Sequence, residues 1–296
     1  MNISPATLSL SIANFQAQAL NAIMNSGPDA RGNDTWDIMS QLLGSDSAST
    51  DPLAWLNDSS SVKGLSPTGR NMALFDPESA YTMMSVINNS DVSWKAQFSE
   101  LSQMQSCVAQ MQDAGQSLGS IAPSTGNDDI KSRLQGFADQ YNGWIQRFDA
   151  DMQQGGLLAD TQAAQVSVYE LDQSIKNIFN GARDGLHGLR DLGFSIDPDT
   201  RLASLDSARL DTVLASNKQG AVDTIQEFSA NFAKSAGLLN ADDNFIPSQL
   251  DNLGRAIHYI ADNSAALQLE FGTGSPAKPT GQVAQALAAY NRTFGV

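Results

Sequence analysis

The longest ordered pattern in the chain is a pair of apolar stripes separated by a short polar break. From about Asp91 to Ile121, the residues Trp94, Leu101, Met104, Val108, Met111 and Leu118 recur at the three-and-four spacing that buries one face of a helix. After Ala122-Pro123-Ser124-Thr125-Gly126-Asn127, a second stripe of Ile130, Leu134, Phe137, Tyr141, Trp144 and Phe148 repeats with heptad spacing. That spacing favours side-by-side helices, and the short Pro/Gly/Ser turn makes the two arms antiparallel neighbours.

Other helices are predicted around this hairpin. Leu8, Ile12, Phe15, Ala19 and Ile23 share one face of an amphipathic helix over residues 5–25, whereas Gln16, Gln18 and Asn21 lie elsewhere. Residues 25–70 are rich in Ser, Asp, Gly, Asn and Pro and read as linker, with short helical turns around Trp36 to Leu43 and Leu53 to Leu56. Asp76 can cap a helix whose first position is Pro77, and Asn88-Asn89-Ser90 interrupts or bends it. A third long helix starts at Asp160 or Thr161 and runs to about Ala182, with Leu171, Ile175, Ile178 and Ala182 along one side.

The period then changes. Leu192 to Asp206 alternates apolar and polar positions about an Asp197-Pro198-Asp199-Thr200 turn, the pattern of a small β-hairpin, and Asp206 or Ser207 caps a short helix after it. Further helices are expected over Ala221 to Ala236 and Pro247 to Leu269. Beyond the Pro/Gly break at 272–281, Val283, Leu287, Tyr290 and Phe294 share a last helical face.

The fold class is therefore mainly α, a long-helix antiparallel bundle with one small β-hairpin, in three parts. Residues 1–75 hold an amphipathic helix and linker, 76–270 a helical stalk, and 271–296 a linker and C-terminal amphipathic helix. Neither terminal helix is long enough to be stable alone, so each needs a partner, either the other terminus or a neighbouring subunit.

Charge narrows the partners. Seventeen Lys plus Arg against thirty-two Asp plus Glu leave a net charge of −15, a field that repels phosphate backbones and anionic lipid and speaks against nucleic acid. No stretch reaches the roughly twenty apolar residues of a spanning helix, and no basic region leads an apolar run at the N-terminus, so membrane insertion and a Sec-type signal are disfavoured. Cys107 is the single cysteine, so no intrachain disulfide can form; it reads as a small residue on the flank of the long helix.

Candidate chemistry is sparse. His187 and His258 are the only histidines, and neither lies in an HExxH or similar setting. Nucleophile-elbow, P-loop and dinucleotide motifs do not occur, so no catalytic, cofactor-binding or metal-ligating residue is assigned. Asp197, Asp199 and Asp206 lack the Gly and Glu of an EF-hand loop and read as turn and capping residues. Trp36 and Trp55 sit in polar sequence, either as docking points for a partner or buried locally against the helical body.

The order of these pieces resembles a known family. SWKAQFSELSQMQSCVAQMQDAGQSLGSI and IKSRLQGFADQYNGWIQRF, with Phe137, Tyr141, Asn142, Trp144 and Ile145, are similar to the two stalk helices of bacterial flagellar filament cap proteins, or hook-associated protein 2. GGLLADTQAAQVSVYELDQSIKNI resembles that family's next stalk helix, and LRDLGFSIDPDTRLASLDSARLDTVLASN its β-hairpin and capped helix. The resemblance covers roughly residues 91–270. Family members carry large head domains between the stalk arms, where this chain has only the turn near Pro123 to Asp129, and Thr200 stands where their hairpin turn usually has glycine.

This resemblance implies a non-enzymatic, exported subunit of an extracellular flagellar axial assembly that passes the type III channel without a cleaved signal. It implies a homo-oligomer joined through stalk and terminal helices, with filament or hook-associated subunits and an export chaperone as partners, and with no cofactor. Leu8, Ile12, Phe15, Val283, Leu287, Tyr290 and Phe294 are the expected assembly contacts. Two other roles fit the same sequence: an acidic, all-helical export chaperone or adaptor for another secreted protein, and a junction protein of the same axis.

Overall fold

The computed structural model describes residues 77–178 and 185–295. The helix expected over 5–25, the turns near Trp36 and Trp55 and the cap at Asp76 lie outside them. Among the described residues the protein is mainly α, with eight helices and one two-stranded antiparallel sheet. In chain order these are α1 (Pro77–Leu118), α2 (Asn127–Met152), α3 (Gln162–Lys176), β1 (Phe194–Ile196) and β2 (Ala203–Leu205). Then come α4 (Ser207–Ser216), α5 (Lys218–Leu239), α6 (Phe245–Asp262), α7 (Ser264–Phe271) and α8 (Gly281–Phe294). Two compact units emerge. The described part of one holds residues 77–94 and 252–279, and that of the other holds 95–251 and 280–295 apart from 179–184.

In the larger unit the two predicted stripes become the core, except for Trp94, which is half-buried and belongs to the smaller unit. Leu101, Met104, Val108, Met111 and Leu118 of α1 are buried, as are Ile130, Leu134, Phe137, Tyr141, Trp144 and Phe148 of α2. Cross-links show the arms running antiparallel: Gln140 Nε2 donates to the Gln110 carbonyl at 3.1 Å, and Arg147 Nη2 to Gln103 Oε1 at 2.8 Å. At the tip, Thr125 N donates to Ala122 O, Ala122 N donates to Thr125 Oγ1, and Lys218 Nζ caps the Thr125 carbonyl.

Helix α5 lies antiparallel along the same arm. Gln226 Nε2 donates to Ile121 O, Ser229 Oγ to Gly115 O, and Asn240 Nδ2 to Gln105 O. Gly115 permits this approach, because a Cβ there would overlap the Phe232 ring. Phe232 and Phe228 of α5 then reach Phe137 with ring centroids 5.0 and 5.3 Å away, both edge-on, the geometry that aromatic quadrupoles favour.

The β-hairpin docks on α2. Its register pairs Phe194 with Leu205, Ser195 with Ser204 and Ile196 with Ala203. Phe194 points inward at Phe137, 5.9 Å between centroids. The outer edge of β2 is closed by a side chain: Asn142 Oδ1 accepts from Ala203 N at 2.6 Å while its Nδ2 donates to Ala203 O at 2.9 Å. An amide thus replaces the missing third strand and satisfies both backbone groups of a buried residue.

The smaller unit is built on a strap. Residues 273–275 lie against the first turns of α1, where Ser275 N donates to Ser85 Oγ at 2.7 Å and Asn88 Nδ2 donates to the carbonyls of Thr273 and Ser275. Tyr81 Oη and Ser275 Oγ are 2.7 Å apart. Gly274 sits at φ +61, and a Cβ there would lie 2.6 Å from Ser85 N, so both conformation and space require glycine.

Several boundaries differ from the sequence reading. Asn88-Asn89-Ser90 does not interrupt α1, because the polar side chains find partners that leave the helical ladder intact: Asn88 holds the strap and Asn89 Nδ2 donates to Ser85 O. Helix α3 stops at Lys176, six residues early. Asn177 takes φ −58 and ψ 137, which ends the ladder, and Ile178 is 65% exposed and not part of the buried stripe. The single helix expected over 247–269 is two, broken at Asn263, which leaves helical geometry at φ −103 and ψ 10 although its backbone N–H still donates to Tyr259 O. Helix α5 is longer than expected, since Asn217 Oδ1 caps it from Gly220 N. The division into units also differs from 76–270 and 271–296: residues 271–279 group with the start of α1, and α8 with the larger unit.

Candidate assembly surface

Helix α8 carries the C-terminal candidates. Ala286 is its one fully buried residue among those described, packed with Ala96 of α1 and Leu157, and Val283 lies partly buried against this group. Small side chains at Ala96 and Ala286 let the helices approach. Two residues further along α1, Phe98 meets Tyr290 at 5.9 Å and Phe294 at 5.2 Å, both edge-on, and the Tyr290 and Phe294 rings lie 5.1 Å apart at a tilt of 36°.

Three of the four expected C-terminal contacts thus have partners inside their own chain, and Leu287 is half-buried. The cover is incomplete: Phe294 remains 45% exposed. Leu8, Ile12 and Phe15 lie outside the described residues. Phe98 was not singled out in the sequence, although it stands four residues after Trp94 and three before Leu101 and so continues that spacing.

A polar cluster also joins α1 and α2. Arg147 donates through Nη2 to Glu100 Oε2 and through Nη1 to Asp151 Oδ2 at 3.1 Å. Gln103 Nε2 donates to Glu100 Oε1 at 3.3 Å. Burial pushes the Glu100 carboxyl above the usual glutamate range, and the nearby Asp151 charge adds to this, while Arg147 pulls the other way. Cys107, half-buried on the same helix, is pushed up by burial and is a poor nucleophile in that state.

The residues weighed for chemistry stand in separate structural roles. His187 is exposed and its backbone N–H donates to Asp191 Oδ2; His258, also exposed, belongs to α6 in the other unit. Asp206 caps α4 by accepting from Arg209 N. Asp197 Oδ1 accepts from Asp199 N, Thr200 N and Thr200 Oγ1, so it shapes the hairpin turn. The left-handed residue of that turn is Arg201, at φ 60, one position after Thr200.

Those three bonds favour the ionised form and hold the Asp197 carboxyl below the usual aspartate range. The turn therefore keeps its stability above the ordinary aspartate value and loses it as pH falls through the depressed one. In a carboxyl-carbon NMR titration, Asp197 should be among the last carboxylates to protonate on acidification. A midpoint at or above the ordinary aspartate value would contradict the turn geometry.

Among the described residues no cluster of three His, Cys, Asp or Glu side chains has metal-holding geometry, and no helix is long and apolar enough to cross a membrane. A shallow groove beside the end of α3 is lined by Glu170, Gln173, Ser174, Lys176, Asn177, Ile178 and Ser235. In the smaller unit, α7 buries no side chain, and Leu269 is 86% exposed. Comparison with protein-family models, curated proteins and solved structures found no match to this chain.

Proposed function

We propose that this chain is a structural subunit of an extracellular flagellar axial assembly, a headless relative of filament cap proteins that self-associates through its stalk and terminal helices. The observation that carries the reading is α8: an apolar, aromatic face held to the body by Phe98 and Ala96, yet leaving Phe294 45% exposed at the end of the chain. A face of this kind gains further apolar burial when another subunit or the N-terminal segment covers it. The antiparallel stalk arms and the docked hairpin follow one another in the order the family resemblance implies. Export through the type III channel without a cleaved signal follows from the same reading.

Analytical ultracentrifugation of the full chain and of a variant lacking residues 1–25 tests it. The full chain sediments as a homo-oligomer, whereas the truncated chain keeps a single cooperative melt but sediments as a monomer. Electron microscopy of filaments carrying tagged protein then places it on the flagellar axis. A chain that stays monomeric and forms one-to-one complexes with a different secreted protein is an export adaptor instead, and loss of the cooperative melt on truncation would place residues 1–25 in the core.

A further inference from the structure

We propose that Glu100 and Asp151 form a carboxyl pair that holds one proton at the seam of α1 and α2, so that the folded stalk binds a proton which the unfolded chain releases. This inference is independent of the assembly role. Two carboxyl side chains from opposite arms are buried there, Glu100 at 7% and Asp151 at 4% exposure. One cation serves both. Arg147 divides its two amino groups between them, and its own side chain is 41% exposed, so water weakens its field at the buried oxygens.

With both acids ionised, the cluster would carry two negative charges and one positive charge in a poorly hydrated seam. The remaining groups offer little relief. Gln103 is neutral and gives Glu100 one long hydrogen bond. On α1, Lys95 and Cys107 are the nearest titratable neighbours along the helix; on α2, Asp149 is engaged by Arg201. The segment after α2 contributes Asp160, which is exposed, and α8 contributes Tyr290 and the exposed Arg292. Holding one proton on the pair leaves a single buried charge matched by Arg147. The raised Glu100 carboxyl agrees with this, because an exposed ion pair with arginine would lower it.

The sign of the pH effect follows from linkage. Below the ordinary glutamate value, folded and unfolded chains both carry the proton on this site. As pH rises, the unfolded chain releases it first, and the folded chain keeps it until the raised value is passed. This site's contribution to stability is therefore greatest on the acid side, falls through that interval and is constant above it.

Glu100→Gln, which keeps the shape and a donor toward Asp151, should gain melting temperature relative to the unaltered protein as pH rises from about 4 to about 8. Asp151→Asn should show the same trend, and carboxyl-carbon NMR should place the Glu100 carboxyl above the ordinary glutamate range. Both variants losing melting temperature relative to the unaltered protein as pH rises would show a fully ionised triad and overturn the proposal. Differences that do not change with pH, or a Glu100 carboxyl titrating at the ordinary glutamate value, would overturn it equally. If one variant fails to fold, the NMR titration of the unaltered protein decides.

Discussion

Phe137→Ala is expected to lower the unfolding free energy by about 3–5 kcal/mol, the range for emptying a buried phenylalanine site. At about 2–4 °C per kcal/mol for a domain of this size, the melting temperature falls by roughly 6–20 °C. The residue has this weight because it joins three elements: it is 2% exposed and its ring contacts Phe194 of the hairpin and Phe228 and Phe232 of α5. Rings held edge-on on several sides leave little room for collapse into the space. Denaturant unfolding of the purified variant measures the loss, with Phe294→Ala as the control at a half-exposed ring. A loss at Phe137 no larger than at Phe294 would mean that the aromatic cluster is not the centre of the larger unit.

Asn142→Ala is expected to cost about 2–4 kcal/mol, because it removes two hydrogen bonds and leaves the Ala203 N–H and C=O without a partner in the folded chain. Asn142→Asp separates the two bonds. The new carboxylate still accepts from Ala203 N but faces the Ala203 carbonyl, which it repels. When protonated, it donates to that carbonyl again. The folded chain therefore raises this carboxyl above its ordinary value, and the stability of the Asn142→Asp variant is recovered as pH falls and lost as pH rises. Thermal melts of both variants at acid and neutral pH test this. A uniform loss for Asn142→Asp across pH would show that its carboxyl does not face the strand edge.

These two positions differ in how far the sequence announces them. Phe137 lies on a heptad stripe, and periodicity alone marks it as buried. Asn142 lies between stripe positions, and nothing within several residues shows that its amide closes a strand 61 residues away. The same division runs through the candidate surface. The apolar face of α8 is visible as Val283, Leu287, Tyr290 and Phe294, yet its covering partner Phe98 is chosen only in the folded chain. Glu100 and Arg147 stand 47 residues apart, and only the packing of α1 against α2 brings them together with Asp151.

Where the reading failed, a tertiary partner or a local side-chain bond had overruled propensity. Asn88-Asn89-Ser90 has the composition of a helix breaker, but the strap 187 residues later gives Asn88 an acceptor and the helix continues. At Asn263 the outcome is the opposite: the backbone turns out of helical geometry between α6 and α7, which residue type alone does not reveal.

By itself the sequence determined the mainly α class, the antiparallel arms, the hairpin between Leu192 and Asp206 and a helix cap at Asp206 or Ser207. These depend on the spacing of apolar residues and on turn chemistry, which act within a few residues. Only the tertiary structure decided which helix ends hold, which polar side chains close the hairpin and the strap, which carboxyls lose their water, and how much of α8 stays uncovered. Those outcomes depend on partners far away in the chain, and burial and hydrogen-bond satisfaction select them only after the helices have packed.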